Sequence, residues 1–101
     1  MKFLIIGCGS IGTRHAQNLK KLGLKNIILC DSNIKRAQSL GKKINTKIFY
    51  SSYKDAVKEN SDITAAIIAT PTIYHMDSSI YLAKHGIDRV TDNKKSASKE
   101  K

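Results

Sequence analysis

Near the amino terminus the hexapeptide Gly7-Cys8-Gly9-Ser10-Ile11-Gly12 has the spacing G-x-G-x-x-G, and an acid, Asp31, stands nineteen residues past its last glycine. Glycines at those places answer three physical needs. Gly7 permits a tight turn, Gly9 lets a pyrophosphate approach bare backbone, and Gly12 lets a helix pack close to a strand. The unpaired N–H groups that open a helix, with the positive end of its dipole, then hold phosphate without any lysine. Asp31 suits the hydroxyls of an adenosine ribose. A carboxylate there repels a 2′-phosphate, which favours NAD over NADP, and Lys35 and Arg36 a helical turn further soften that preference. A second constellation, Ala69-Thr70-Pro71-Thr72 with His75, closes the most apolar run of the chain. Strand ends at a topological switch point are where open α/β sheets bind ligands. The plainer alternative is a strand end, a proline stop and an exposed helix histidine, and pattern alone leaves both open.

The elements that must position these residues follow from hydrophobic period. Residues 2–6, continuously apolar from Phe3 onward, read as a strand buried on both faces. From Ser10 the period becomes helical, with Ile11, His15, Ala16, Leu19 and Leu22 on one face and Gly23 as the stop. A second buried strand covers 26–30. Ser32 or Asn33 then caps a helix that carries Ile34, Ala37 and Leu40 inward and ends at Gly41. A short strand follows at 47–50, and Ser52 with Asp55 resembles a capping box for a helix through Val57. A strand at 63–69 precedes a helix over 73–85 that turns Ile73, Met76, Ile80 and Ala83 inward and stops at Gly86. Four strand–helix repeats specify a parallel sheet with right-handed crossovers and helices on both faces. Residues 87–91 read as the start of a fifth strand interrupted by Asp88 and Arg89, and residues 92–101 as a disordered polar tail. The domain is therefore expected over 1–91.

A chain of 101 residues has room for one modest core, and with no tryptophan and 6% aromatics that core is aliphatic. Its net charge of +10 raises nucleic-acid binding. The cations nevertheless fall in separate pairs (Lys20-Lys21, Lys35-Arg36, Lys42-Lys43) without interleaved aromatics, which reads as a solvated surface. Cys8 and Cys30 are too few for a disulfide scaffold and lack metal-ligand spacing, so they read as reduced, buried thiols and no metal is expected. Ile5-Ile6-Gly7-Cys8 superficially matches a lipoprotein cleavage box, but the apolar run before it is far shorter than a signal-peptide core of about 7–15 residues. No stretch approaches the roughly 20 apolar residues of a membrane span. The expected location is the cytoplasm, with neither a specific nucleic-acid partner nor a membrane one.

Taken together, the glycine loop with its trailing Thr13-Arg14-His15, Asp31, and residues 67–72 through His75 resemble the amino-terminal domain of the glucose-fructose oxidoreductase / inositol dehydrogenase / MocA family. The similarity runs from Met1 to about Asp88. It implies a Rossmann-like, doubly wound parallel sheet of four to five strands in a single, incomplete dinucleotide-binding domain of an NAD(P)-dependent oxidoreductase acting on sugars or cyclitols. On that resemblance Ser10 and Ile11 give backbone donors to the pyrophosphate, Thr70 and Pro71 line the nicotinamide ribose region, and His75 shapes the cofactor cleft.

The family's fifth strand usually ends in Glu-Lys-Pro, whose lysine serves nicotinamide and substrate. Here Arg89-Val90-Thr91-Asp92-Asn93-Lys94-Lys95 stands instead, so no catalytic residue is assigned. The change of pattern after Asp88 leads to the expectation of a truncated or frame-shifted remnant, lacking the substrate domain. Strand 63–69 would then be an unpaired apolar edge, favouring self-association and marginal stability. The two functional expectations are an oxidoreductase-family NAD-binding domain, catalytically incomplete alone, and a non-catalytic nucleotide-binding or interaction module.

Overall fold

Consecutive apolar residues commit a strand to burial on both faces, and the first two strands, β1 (Lys2–Ile6) and β2 (Ile27–Cys30), are built that way. In the computed structural model, which describes residues 1–70 and 75–91 and of His75 the backbone alone, they lead a strand–helix alternation. The further elements are α1 (Ser10–Lys21), α2 (Ile34–Ile44), β3 (Phe49–Tyr50), α3 (Tyr53–Glu59), β4 (Ile63–Ile68), α4 (His75–Lys84) and β5 (Asp88–Thr91). All strands are parallel in the order β3-β2-β1-β4-β5. Ile6 pairs with Cys30 on one side and Ile68 on the other, so β1 is central. The sheet divides the core. Ile5, Ile27 and Leu29 pack with Ala16 of α1 and Ala37, Leu40 and Ile44 of α2. Leu4, Ile6, Ile28, Ala66 and Ile68 pack on the other face with Ala56 and Val57 of α3 and Leu82 of α4.

Several helix boundaries depart from the sequence reading, each for an identifiable reason. Leu22 is 75% exposed, because it is the C-cap residue of α1 rather than part of its buried face. Gly23, at φ +87°, then closes a Schellman turn in which its N–H donates to the Lys20 carbonyl and the Leu24 N–H to that of Leu19. Gly41 does not end α2. It lies inside the helix where a Cβ would come within 2.7 Å of the Thr46 carbonyl oxygen, and the apolar period continues to Ile44, with Asn45 taking the left-handed cap at φ 60°. Ser52 is the N-cap of α3, but its side chain makes no capping hydrogen bond, and the helix runs on to Glu59. The strands β2, β3 and β4 are also slightly shorter than read.

The largest corrections lie at the carboxyl end. Met76 and Ile80, expected inward, are 68% and 46% exposed, and Ser78 and Leu82 are buried instead. Gly86, at φ +71°, makes a second Schellman turn, with the Ile87 N–H donating to the Leu82 carbonyl. Leu82 and Ile87 thereby enter one core cluster, which sets the helix's rotation and carries Met76, Ile80 and Ala83 to the outside. β5 forms despite Asp88 and Arg89. Parallel pairing with β4 uses backbone groups, and every side chain of this edge strand is exposed, so charge there costs little desolvation. Strand 63–69 is therefore not an unpaired edge, and the self-association expected through it loses its basis. The new edge bears an acid and an arginine, which blunts it. Pro71, Thr72, Ile73 and the tail 92–101 lie outside the described residues.

Candidate dinucleotide-binding site

Gly7, at φ +100°, ends β1 with a turn that few L-residues adopt. Its N–H donates to the Cys30 carbonyl at 2.8 Å, and the Ala69 N–H donates to the Ile6 carbonyl at 2.8 Å. The glycine loop is thus held between the carboxyl ends of β2 and β4, at the point where the connections leaving β1 and β4 diverge onto the two faces. A Cβ on Gly7 would lie 2.8 Å from the Ala69 carbonyl oxygen and 3.1 Å from the Thr70 methyl, which brings the second sequence constellation against the first. A Cβ on Gly12 would lie 1.8 Å from the Gly7 carbonyl oxygen. Gly7 and Gly12 are therefore needed by the fold itself.

Gly9 is different. Its backbone is extended at φ −81° and ψ −155°, a conformation open to any residue, and a Cβ there would meet nothing within 4 Å. It is also the N-cap of α1, whose first intrahelical bond runs from the Thr13 N–H to the Gly9 carbonyl at 2.9 Å. The amides of Ser10, Ile11 and Gly12 precede that bond and point out of the helix end. No side chain caps this end and no acid occupies its first turn, which leaves its amides open to an anion.

Asp31, 8% exposed, follows β2 and ties the glycine loop to the start of the β2–α2 connection. Its Oδ2 accepts from the Cys8 N–H at 2.8 Å and its Oδ1 from the Asn33 N–H at 2.9 Å, while its own N–H donates to the Tyr50 carbonyl at 3.1 Å. The carboxylate is fixed in orientation before any ligand arrives, and each oxygen keeps lone-pair capacity for a hydroxyl donor. This clip between β2 and the glycine loop was not legible from spacing, because a bond to a backbone amide leaves no residue-type signal at Cys8. Asn33 in turn caps α2 by accepting from the Lys35 N–H at 3.1 Å. Lys35 and Arg36 are exposed on the first turn of α2.

Cys8 and Cys30 sit under the loop as free thiols, with the Cys8 thiol donating to the Cys30 carbonyl at 3.5 Å. Burial pushes both up to about 12, and the neighbouring Asp31 carboxylate adds to it. Because the folded thiols hold their protons more tightly than unfolded ones, the stability they contribute is constant below about pH 9 and is lost as pH climbs toward about 12. At about pH 8 a disulfide reagent is therefore expected to leave the native chain unmodified and to react with both thiols in denaturant. Reaction of either thiol in the folded protein would contradict this.

Thr70 is half-buried beside Gly7, and His75 begins α4 at the same end of the sheet; Pro71 and the His75 side chain lie outside the described residues. His15 is half-buried on α1, and His85, at the C-cap of α4, lies at the opposite pole with its Nδ1 2.9 Å from the Tyr81 carbonyl. Among the described residues no group of three or more His, Cys, Asp or Glu could hold a metal ion, and no helix is long and apolar enough to cross a membrane.

The family model described as an oxidoreductase family with an NAD-binding Rossmann fold matches residues 1–93. No curated protein matches the chain. Among solved structures, myo-inositol 2-dehydrogenase from Lactobacillus plantarum is 27% identical with a TM-score of 0.81, covering 90% of this chain and 27% of that one. An oxidoreductase from Agrobacterium radiobacter, solved with NAD+, L-tartaric acid and magnesium, is 21% identical at the same TM-score and coverage. Scyllo-inositol dehydrogenase from Lactobacillus casei, solved with NAD(H) and scyllo-inositol, is 19% identical with a TM-score of 0.77. The chain spans about a quarter of the length of these proteins. A glycine loop braced by Asp31 at the switch point of a 3-2-1-4-5 sheet agrees with the family match over nearly the whole chain, which belongs to the glucose-fructose oxidoreductase / inositol dehydrogenase / MocA oxidoreductase family as its NAD-binding Rossmann-fold part.

Proposed function

We propose that this chain binds NAD across the carboxyl ends of β1, β2 and β4 and supplies the cofactor half of a sugar- or cyclitol-type dehydrogenase. The observation that carries the reading is Gly9, a glycine that neither backbone conformation nor packing requires. The space a side chain would fill there lies over the open amides of α1, where a pyrophosphate fits. Ser10 and Ile11 donate to it from the backbone. Gly7 and Gly12 shape the turn, and Asp31 accepts from the adenosine ribose hydroxyls with an orientation set by Cys8 and Asn33. Thr70 lines the nicotinamide side of the cleft, the side to which the family resemblance also assigns Pro71 and His75. When bound, the dinucleotide supplies a hydride acceptor or donor.

A complete reaction also needs a substrate held beside the nicotinamide and a group to move its proton. We assign neither role to a residue of the domain 1–91, so turnover rests on a substrate-bearing region in the same or another chain. Two protonated thiols beneath the loop suit the reducing cytoplasm, where we place the chain.

Titration of the folded chain with NADH and NADPH, followed by nicotinamide fluorescence, tests the reading. Saturable NADH binding is expected, with weaker NADPH binding. Asp31→Ala removes both the ribose acceptor and the clip on the loop, so NADH affinity should fall by at least about tenfold, the worth of a charge-assisted hydrogen bond. A folded chain that binds neither cofactor would overturn the reading and leave a non-catalytic interaction module.

A further inference from the structure

Lysines that are separate along the chain are gathered by its topology. In a parallel α/β layer the helices end, and the strands begin, at the pole opposite the ligand-binding strand ends. Lys20 and Lys21 lie in the last turn of α1 and Lys42 and Lys43 in that of α2, while Lys25 and Lys47 stand two residues before β2 and β3. Lys20, Lys21 and Lys43 line one groove with Asn45, and Lys42 and Lys47 line an adjoining groove that shares Asn45.

A lysine in the last turn of a helix is ordinary, because it complements the dipole. That explanation applies to all four helices alike and so does not account for the asymmetry between the two faces. From Gly7 to Ile48, the stretch that builds α1 and α2 and leads into β3, there are nine Lys and Arg, six of them at this pole, and a single acid, Asp31, which lies at the cofactor end. On the other face α3 is balanced by Asp55 and Glu59, and α4 by Asp77. Crowding like charge on one face costs self-repulsion, which an anionic partner relieves. Apolar side chains interleave with these lysines. Leu22, 75% exposed, lies between Lys21 and Lys25 in the chain, and Ile48, 41% exposed, follows Lys47.

We propose that this pole docks on an anionic phospholipid surface, its lysines against the headgroups and Leu22 and Ile48 in the interfacial layer. A nucleic-acid duplex would engage the lysines but give the two apolar side chains nothing, and no exposed aromatic platform is present among the described residues to stack single-stranded bases. Docked this way, the carboxyl ends of the strands face away from the surface and remain open to the dinucleotide.

Co-sedimentation of the full chain with phosphatidylserine-containing and with pure phosphatidylcholine vesicles tests the proposal, with a duplex DNA titration beside it. Binding is expected on the anionic vesicles alone. It should disappear as salt rises from about 0.1 M to about 1 M and the Debye length shrinks from about 10 Å to about 3 Å. Since each lysine near an anionic surface contributes roughly fivefold, K20E/K21E/K43E should weaken vesicle binding by at least about a hundredfold while the melting curve stays cooperative. Leu22→Ser should weaken vesicle binding and leave DNA affinity unchanged. No vesicle binding by a folded chain overturns the proposal, as does a triple variant that binds like the parent. Tighter binding to the duplex, with Leu22→Ser silent on vesicles, assigns the pole to nucleic acid instead.

Discussion

Gly12→Ala is expected to destabilise the domain severely. An added methyl would sit 1.8 Å from the Gly7 carbonyl oxygen, which is backbone inside a turn already fixed by hydrogen bonds to β2. Alanine is the better helix former by about 1 kcal/mol, but relief of this overlap requires α1 to move off β1. That motion would empty the contacts of Ala16 with the core beneath it, and overpacking of this kind costs about 3 kcal/mol or more. Against a total stability of about 5–15 kcal/mol, the net loss is large enough to read by denaturant titration. The expected result is a midpoint shifted far toward water, with NADH binding lost as a consequence. A Gly12→Ala chain as stable as the parent would show that the helix is not seated on the turn as described.

Gly9→Ala is expected to do the reverse, weakening dinucleotide binding severely while changing stability little, because the poorer N-cap is offset by the lower chain entropy of alanine. The new methyl meets no protein atom within 4 Å, and the extended backbone at this position accepts alanine without strain. It does occupy the space in which a pyrophosphate must approach the helix amides. Displacing the phosphates by even 1 Å loses their hydrogen bonds to Ser10 and Ile11, and with two charge-assisted bonds at about 1.5–3 kcal/mol each, NADH affinity should drop by a hundredfold or more. Calorimetric melting and fluorescence titration on the same sample separate the two effects. Unchanged affinity in Gly9→Ala would count against a pyrophosphate at this place, whatever the family match. The two alanines, three residues apart in one motif, thus distinguish a glycine kept for packing from one kept for a ligand.

The sequence by itself determined the parts of this protein that depend on local pattern. Unbroken apolar runs at 3–6 and 27–30 are compatible with little besides buried parallel strands, and Gly23 and Gly86 stop their helices because only a residue tolerant of positive φ closes a Schellman turn cheaply. The glycine loop and Asp31 were legible because their chemistry is written in residue type and spacing. Tertiary structure alone decided what depends on a neighbour distant in the chain. Gly41 looked like a helix stop and proved a packing contact with the 46–49 segment; the buried side of α4 was chosen by the Leu82–Ile87 turn rather than by the period of Met76 and Ile80. Asp88 and Arg89 argued against a strand, yet β4 offered a row of unpaired backbone groups whose hydrogen bonds do not depend on side-chain type. The lysines were scattered as letters and became one surface only when parallel strands brought every helix end to the same pole. Periodicity records how a residue relates to its own element, whereas packing and surface charge are relations between elements, and these exist only once the chain has folded.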